Sequence, residues 1–152
     1  MSKLYVKVLK RPETMLSEIP LPSYATEHSA GMDARADIKE DVVIEPMKRA
    51  IIPTGLYVAV PWGHTLDVDS RSGLAAKSGV FVMNAPGIID ADYRGEICVI
   101  LANMSDKPFT VKRGDRVCQL LLRAVEHVLW EEVNQLDDTE RGAGGLGSTG
   151  VK

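Results

Sequence analysis

The sequence predicts an all-β fold, a jelly-roll-like β-sandwich or barrel, and three observations carry that prediction. Eight prolines, spread from Pro12 to Pro108 with glycines between them, leave few windows in which a helix of ordinary length could run unbroken. Short runs rich in β-branched residues recur along the chain, with turn residues separating them. Two Phe and two Trp among 152 residues are a thin aromatic supply, so the core must rest on Val, Ile, Leu and Ala.

In chain order, strands are expected at 4–9, 42–44, 56–60, 65–68, 81–83, 96–101, 109–111, 116–122 and 128–133. Several alternate in polarity, as Leu4, Val6 and Val8 do against Lys7. This many short strands at this spacing argue for antiparallel packing rather than a parallel sheet with crossover helices. One exception interrupts them. Ser72 is placed to cap a short helix near 73–78, through Leu74, Ala75, Ala76 and Lys77, which Gly79 then ends. A lone helical turn in a β protein points to a site more than to a core. After residue 140 the chain becomes glycine-rich and loses all apolar periodicity, so residues 1–140 read as one domain and 141–152 as a flexible C-terminal arm.

Composition narrows the partners. A formal charge of −3 gives no general pull toward nucleic acid or anionic lipid, so a phosphate ligand must meet a local cluster of donors. The N-terminus has no apolar stretch long enough for a signal peptide, and no run approaches a membrane span. A cytoplasmic protein with no membrane partner is expected. Cys98 and Cys118 each sit within an apolar run and read as small buried hydrophobes rather than a disulfide framework.

Three segments have the chemistry of phosphate-handling loops: Ser70 to Gly73, Gly114 to Arg116 with Gln119 beyond, and the tail headed by Arg141. Arginine offers a planar fork of donors, serine a hydroxyl, and glycine lets backbone N–H groups approach an oxygen closely. Taken singly, each reads better as a cap, a turn or a flexible end, since Gly, Ser and Arg are common turn and surface residues. The tail lacks the Lys-Ser or Lys-Thr pair of a P-loop, which disfavours that class of nucleotide hydrolase. A fourth segment, Asn84 to Gly95, reads as a hairpin tip bearing Asp90 and Asp92, an aromatic ring and an amide. Asp90 follows Ile88 and Ile89, and partial desolvation there would suit it to take a proton from water. Its ordinary alternative is a turn-forming aspartate.

The ordered set decides between these readings. The segments AGMDA at 30–34, RSGLAAKSG at 71–79, GIIDADYRG at 87–95, GDRVCQL at 114–120 and RGAGGLGSTG at 141–150 closely resemble the five motifs of the trimeric dUTPases, in the family's order. The resemblance implies the dUTPase-like β-clip fold and hydrolysis of dUTP to dUMP and pyrophosphate, which lowers dUTP and supplies dUMP for thymidylate synthesis. It implies that Asp90 activates the attacking water. Asn84 and the backbone around Ile88, Ile89 and Cys98 would bond the uracil edge, and Tyr93 would pack on the sugar and exclude a 2′-hydroxyl. Arg71, Ser72, Gly73 and Gln119 would hold phosphates, with Arg141 and Ser148 gripping the outer ones from the tail. Mg2+ would be held by the triphosphate and water with no direct protein ligand, and Asp33 would be an orienting acid near it. The family's subunits form a homotrimer with shared active sites, closed by the tail of one chain.

Some residues depart from the pattern. Leu146 stands where the family's tail carries Phe, which removes a stacking preference of about 1 kcal/mol. Ser70 replaces a usual proline, and Asp67 and Asp69 are unusually acidic, so that Asp69 is expected to pair with Arg71 and compete with phosphate. Asp92 and Asp115 read as turn residues paired with a neighbouring arginine. The rival readings are a dCTP deaminase-like relative and a non-catalytic nucleotide sensor.

Overall fold

The computed structural model describes residues 4–11 and 19–145. Among them the chain forms eleven strands and one short helix. In order these are β1 (Lys7–Lys10), β2 (Ser23–Tyr24), β3 (Met32–Arg35), β4 (Val42–Ile44), β5 (Arg49–Ala59), β6 (His64–Asp69), α1 (Ser72–Ser78), β7 (Val80–Val82), β8 (Gly87–Ile89), β9 (Glu96–Asn103), β10 (Phe109–Val111) and β11 (Arg116–Ala124). A four-stranded sheet runs β1-β5-β9-β7, a five-stranded sheet runs β2-β3-β11-β6-β8, and β10 pairs with β4. All of the pairings are antiparallel.

The two larger sheets close on one core, because side chains alternate across each strand. Ile52, Ile97, Val99 and Leu101 meet Leu66, Val68, Cys118 and Leu120, all buried. Truncating a residue such as Ile52 to alanine would cost about 2–5 kcal/mol by lost burial and the cavity left behind. Asn103 is fully buried but satisfied. Its amide donates to Ile44 O and Lys107 O, both at 2.8 Å, and its Oδ1 accepts from Ser105 N and Oγ at 2.9 and 2.7 Å.

The all-β sandwich stands as predicted, with differences at particular elements. The run 128–133 forms no strand; Leu129 and Trp130 are almost wholly exposed at 97% and 95%. Strand formation is a property of pairing, and this segment finds no partner strand among the described residues of its own chain. The run at 4–9 pairs only from Lys7, and β2, β3, β8 and the first half of β5 went unread. Ser72 does not cap α1: Arg71 is the N-cap residue, extended at φ −84° and ψ 119°, with no side-chain cap bond. Gly79 ends the helix in the left-handed region at φ 65°, as read. Cys98 is exposed rather than buried, since Ile97 and Val99 turn inward on either side of it, whereas Cys118 is buried. No helix among the described residues is long and apolar enough to cross a membrane.

Candidate active site

The alternation that buries Ala34, Cys118 and Val68 turns Asp33, Gln119 and Asp69 to the outer face of the five-stranded sheet. Register sets them in a row: Gln119 of β11 lies opposite Asp33 of β3 on one side and Asp69 of β6 on the other. β6 ends beside this row, and the chain turns there into α1, which delivers Arg71. Arg71 Nε donates to Asp33 Oδ1 at 2.9 Å, Arg116 Nη1 donates to Asp33 Oδ2 at 2.9 Å, and Arg71 Nη1 reaches Arg116 O at 3.2 Å. One carboxylate thus holds two guanidiniums side by side. Desolvation pushes the Asp33 carboxyl up, but the hydrogen bonds and charges of Arg71, then Arg116, outweigh it and hold the group below the usual carboxylate range.

A cleft of about 350 Å³ opens next to this cluster, lined by Arg35, Arg71 and Arg116 with Leu74, Phe109 and Gly114 among its other walls. Arg35 and Arg116 lie directly opposite each other across β3 and β11, a like-charge pairing that a sheet ordinarily avoids. Asp33 and the Gly114 carbonyl, which accepts from Arg35 Nη1 at 2.7 Å, relieve it in part. Concentrated donors on a half-buried wall are the chemistry that binds phosphate oxygens. Arg35 was missed by sequence reasoning, although it stands two residues past Asp33 on the same strand face. Arg116 was read as part of its loop, but its place opposite Arg35 was not, because the pairing slips between Arg116 and Cys118 and breaks the simple alternation.

The acidic residues of β6 are disposed differently from the expectation. Asp69 does not pair with Arg71. Arg123 takes Asp67 at 2.7 Å and Asp69 at 3.5 Å, because it sits on the outer face of β11 beside both, which leaves Arg71 to Asp33. Ser70 turns its hydroxyl to accept from Val82 N at 2.9 Å, so it fastens the chain before Arg71. Ser72 and Gly73 lie exposed in the first turn of α1, and nothing stands within 4 Å of the position a Gly73 Cβ would take. Asp115 caps its own turn, its Oδ2 accepting from Lys112 N at 2.8 Å.

The second group of predicted residues lies on the hairpin of β8 and β9. Gly87 carries no side chain because Asn84 Nδ2 and Val68 Cβ occupy the space a Cβ would need, at 3.1 and 3.3 Å. The Asn84 amide is thereby laid over the start of β8. Ile88 faces outward and is 62% exposed, Ile89 packs on the core, and Asp90 follows at the strand end. Asp90 is exposed in the single chain, so the partial desolvation expected from its two isoleucines is absent there. A tight turn follows, closed by Tyr93 N to Asp90 O at 3.1 Å and by Arg94 Nη1 to Ala91 O at 2.8 Å. Tyr93 folds back so that its hydroxyl donates to Glu96 O at 3.0 Å, and its ring fills the space where Gly95 would bear a Cβ. Partial desolvation first, then the Glu96 charge, push the thiol of the exposed Cys98 up, and burial pushes Cys118 up to about 12, so neither is poised as a thiolate.

These two groups do not meet in one chain. Ile89 pairs with Leu66 and Gly87 with Val68, so Asp90 lies toward the start of β6 while Arg71 lies beyond its end. Five strand residues at about 3.3 Å each separate the two levels by roughly 16 Å. Arg141 belongs to neither group; it is exposed and its Nε donates to Gly144 O at 2.9 Å within a local turn. Leu146 and Ser148 lie outside the described residues. Among the described residues no three His, Cys, Asp or Glu side chains are grouped to hold a metal ion.

With this geometry in hand, the comparisons with known proteins are specific. The dUTPase family model matches residues 17–150. The chain belongs to the dUTPase family. It is 50% identical over 137 residues to the deoxyuridine 5′-triphosphate nucleotidohydrolase of Caulobacter vibrioides, covering 89% of this chain and 88% of that one. It is 45% identical over 150 residues to the Fusobacterium nucleatum enzyme of the same name, covering 99% of each. Among solved structures, a Staphylococcus bacteriophage 80alpha dUTPase bound to dUpNHpp superposes with a TM-score of 0.84, covering 98% of this chain and all of that one. At 24% identity that likeness speaks for the fold.

Proposed function

We propose that this protein hydrolyses dUTP to dUMP and pyrophosphate, in sites shared between the subunits of a homotrimer. The observation that carries the shared site is the separation of Asp90 from Arg71 along β6, too long for one nucleotide's α-phosphorus to sit against both in the same chain. The exposed apolar run with Val128, Leu129, Trp130 and Val133 supports association, since a monomer would leave it in water. So does the exposure of Asp90, which a neighbouring subunit would cover.

In the proposed site the Arg71 cluster of one chain, with Ser72, Gly73 and Gln119, holds the triphosphate, and the hairpin of another holds the nucleoside. Asn84 and the backbone at Ile88, Ile89 and Cys98 read the uracil edge; cytosine would leave a buried donor unpaired there. The Tyr93 ring, held down by Glu96 O, occupies the space a 2′-hydroxyl would need. Asp90 takes a proton from water as its oxygen attacks the α-phosphorus, and the bond to the β-phosphate oxygen breaks to release pyrophosphate. Arg141, Leu146 and Ser148 close the site from a third chain's arm and grip the outer phosphates. Leucine at 146 covers the base without the stacking of a ring, so closure is weaker than with Phe.

The donor set fits Mg2+ held through the triphosphate and its own water, because Asp33 has both oxygens committed to arginines. When bound, the ion neutralises phosphate charge in the transition state. Asp33 then acts on the arginines, keeping their forks aimed into the cleft.

Turnover of a nucleotide panel with Mg2+ tests the activity: dUTP is consumed to dUMP and pyrophosphate, while UTP, dTTP and dCTP are spared. Comparable hydrolysis of UTP or dTTP removes the reading. Sharing is tested by refolding Asp90→Asn chains together with Arg71→Ala chains. Each alone is inactive, and random association into trimers restores roughly a quarter of wild-type activity. No recovery in the mixture means each site is built from a single chain.

A further inference from the structure

Away from the Arg71 cluster, four charged residues from separated segments form a chain around one buried carboxylate. Asp37 follows β3 and its carboxylate is wholly buried, with Arg113 Nε donating to Oδ1 at 3.2 Å and Arg11 Nη1 lying 3.8 Å from Oδ2. Among the described residues that Oδ2 accepts no hydrogen bond. Arg11 passes on to Glu96, whose Oε1 it contacts and which also accepts from Gly55 N at 2.7 Å. Arg11 N returns to Gly55 O at 2.9 Å, at the point where the β5 to β9 pairing shifts register and Gly55 takes φ 68°.

Buried ion chains are a poor way to stabilise a core, because desolvation offsets most of the attraction and well-packed apolar residues often do as well. What this one does is join two places. At one end Arg113 precedes the Gly114 turn, which is laced to the strand after Asp33 by Gly114 N to Ala36 O and Ala36 N to Asp115 O, both at 2.8 Å. Arg116, the next residue, grips Asp33. At the other end Glu96 opens β9, and its carbonyl takes the Tyr93 hydroxyl.

We infer that the ion chain Arg113, Asp37, Arg11 and Glu96, built on the buried Asp37 carboxylate, is a positioning device that fixes the phosphate-handling turn of a subunit relative to its nucleoside hairpin. The roles of those two parts rest on the function proposed above; the mechanical tie between them does not. In a shared-site trimer the two parts serve different nucleotides, so the tie sets the geometry of two active sites at once.

Hydrogen exchange reads the tie without substrate. Arg113→Gln, at a side chain one quarter exposed, is expected to speed amide exchange at residues 93–96 by about tenfold, and Glu96→Gln to do the same at residues 112–116. Changes confined to the mutated end would overturn the tie. Kinetics of Asp37→Asn then separate positioning from mere stability. A positioning loss raises KM for dUTP about tenfold and relaxes the preference for dUTP over UTP, whereas a purely structural role lowers the folded fraction and leaves KM and the preference unchanged. If Asp37→Asn does not fold, Arg113→Gln is measured in its place. A wild-type protein that does not turn over dUTP would sink the proposed function, while the exchange result would still stand or fall on its own.

Discussion

The two halves of the proposed site are held in place by different physics. The phosphate half is preorganised by charge: Asp33 aligns Arg71 and Arg116, and three guanidiniums line one cleft before any ligand arrives. The nucleoside half is shaped by backbone and by glycine, with Asn84 lying over Gly87, Tyr93 folded over Gly95, and Asp90 exposed at the tip. Fixed charges can be aimed in advance because carboxylate and arginine compensate each other. The Asp90 carboxylate, by contrast, stands open to water at the tip of its hairpin until something covers it. In the proposed site this difference would make phosphate binding a property of the subunit and catalysis a property of the assembly.

The largest expected effect breaks the comparison at the hairpin. Asp90→Asn removes the proposed base but leaves the arginine cluster intact, so kcat should fall by about 10³ or more while KM for dUTP stays within a few-fold. Steady-state kinetics with pyrophosphate detection measure this, and retained turnover would mean that another group takes the proton. A smaller effect is expected at Gly95→Ala. A methyl group there overlaps the Tyr93 ring and must push it off the backbone, and with it the hydroxyl bond to Glu96 O. The ratio of kcat/KM for dUTP over UTP should fall about tenfold, with dUTP turnover less affected. An unchanged ratio would separate Tyr93 from sugar selection.

How far the sequence was legible follows the same division. Strand composition and the spacing of turns were enough for the sandwich, and the chemistry-bearing segments announced themselves by residue type. Asp33 was read only as an acid near the metal, because its partners come from residues 38 and 83 positions away and no local pattern encodes that meeting. Arg35 and Cys98 were legible in principle, since strict alternation along β3 and β9 turns both outward. The apolar run 128–133 was misread because β-branched composition says that a segment fits a sheet, not that a partner strand waits for it in the same chain. Ser72 looked like a cap because serine usually is one, but the extended backbone of Arg71 starts the helix a residue earlier and leaves Ser72 exposed in its first turn.

The smallest effect sharpens the phosphate half alone. Asp33 carries a carboxyl that desolvation raises but that Arg71 and then Arg116 bring below its ordinary value. A group whose folded value is depressed contributes stability that is fully present above its unfolded value, about 4, and that is lost as pH falls through the folded value. Asp33→Asn abolishes that dependence, because an amide has no proton to gain. The gap in Tm between wild type and Asp33→Asn should therefore be constant above about pH 5 and narrow steadily below about pH 4. Exposure of Arg116 keeps the effect small, since solvent screens a pair that is half open. A gap for Asp33→Asn that stays constant into strong acid would show that the arginines gain nothing from its charge, and the preorganisation of the phosphate half would have to come from the strands instead.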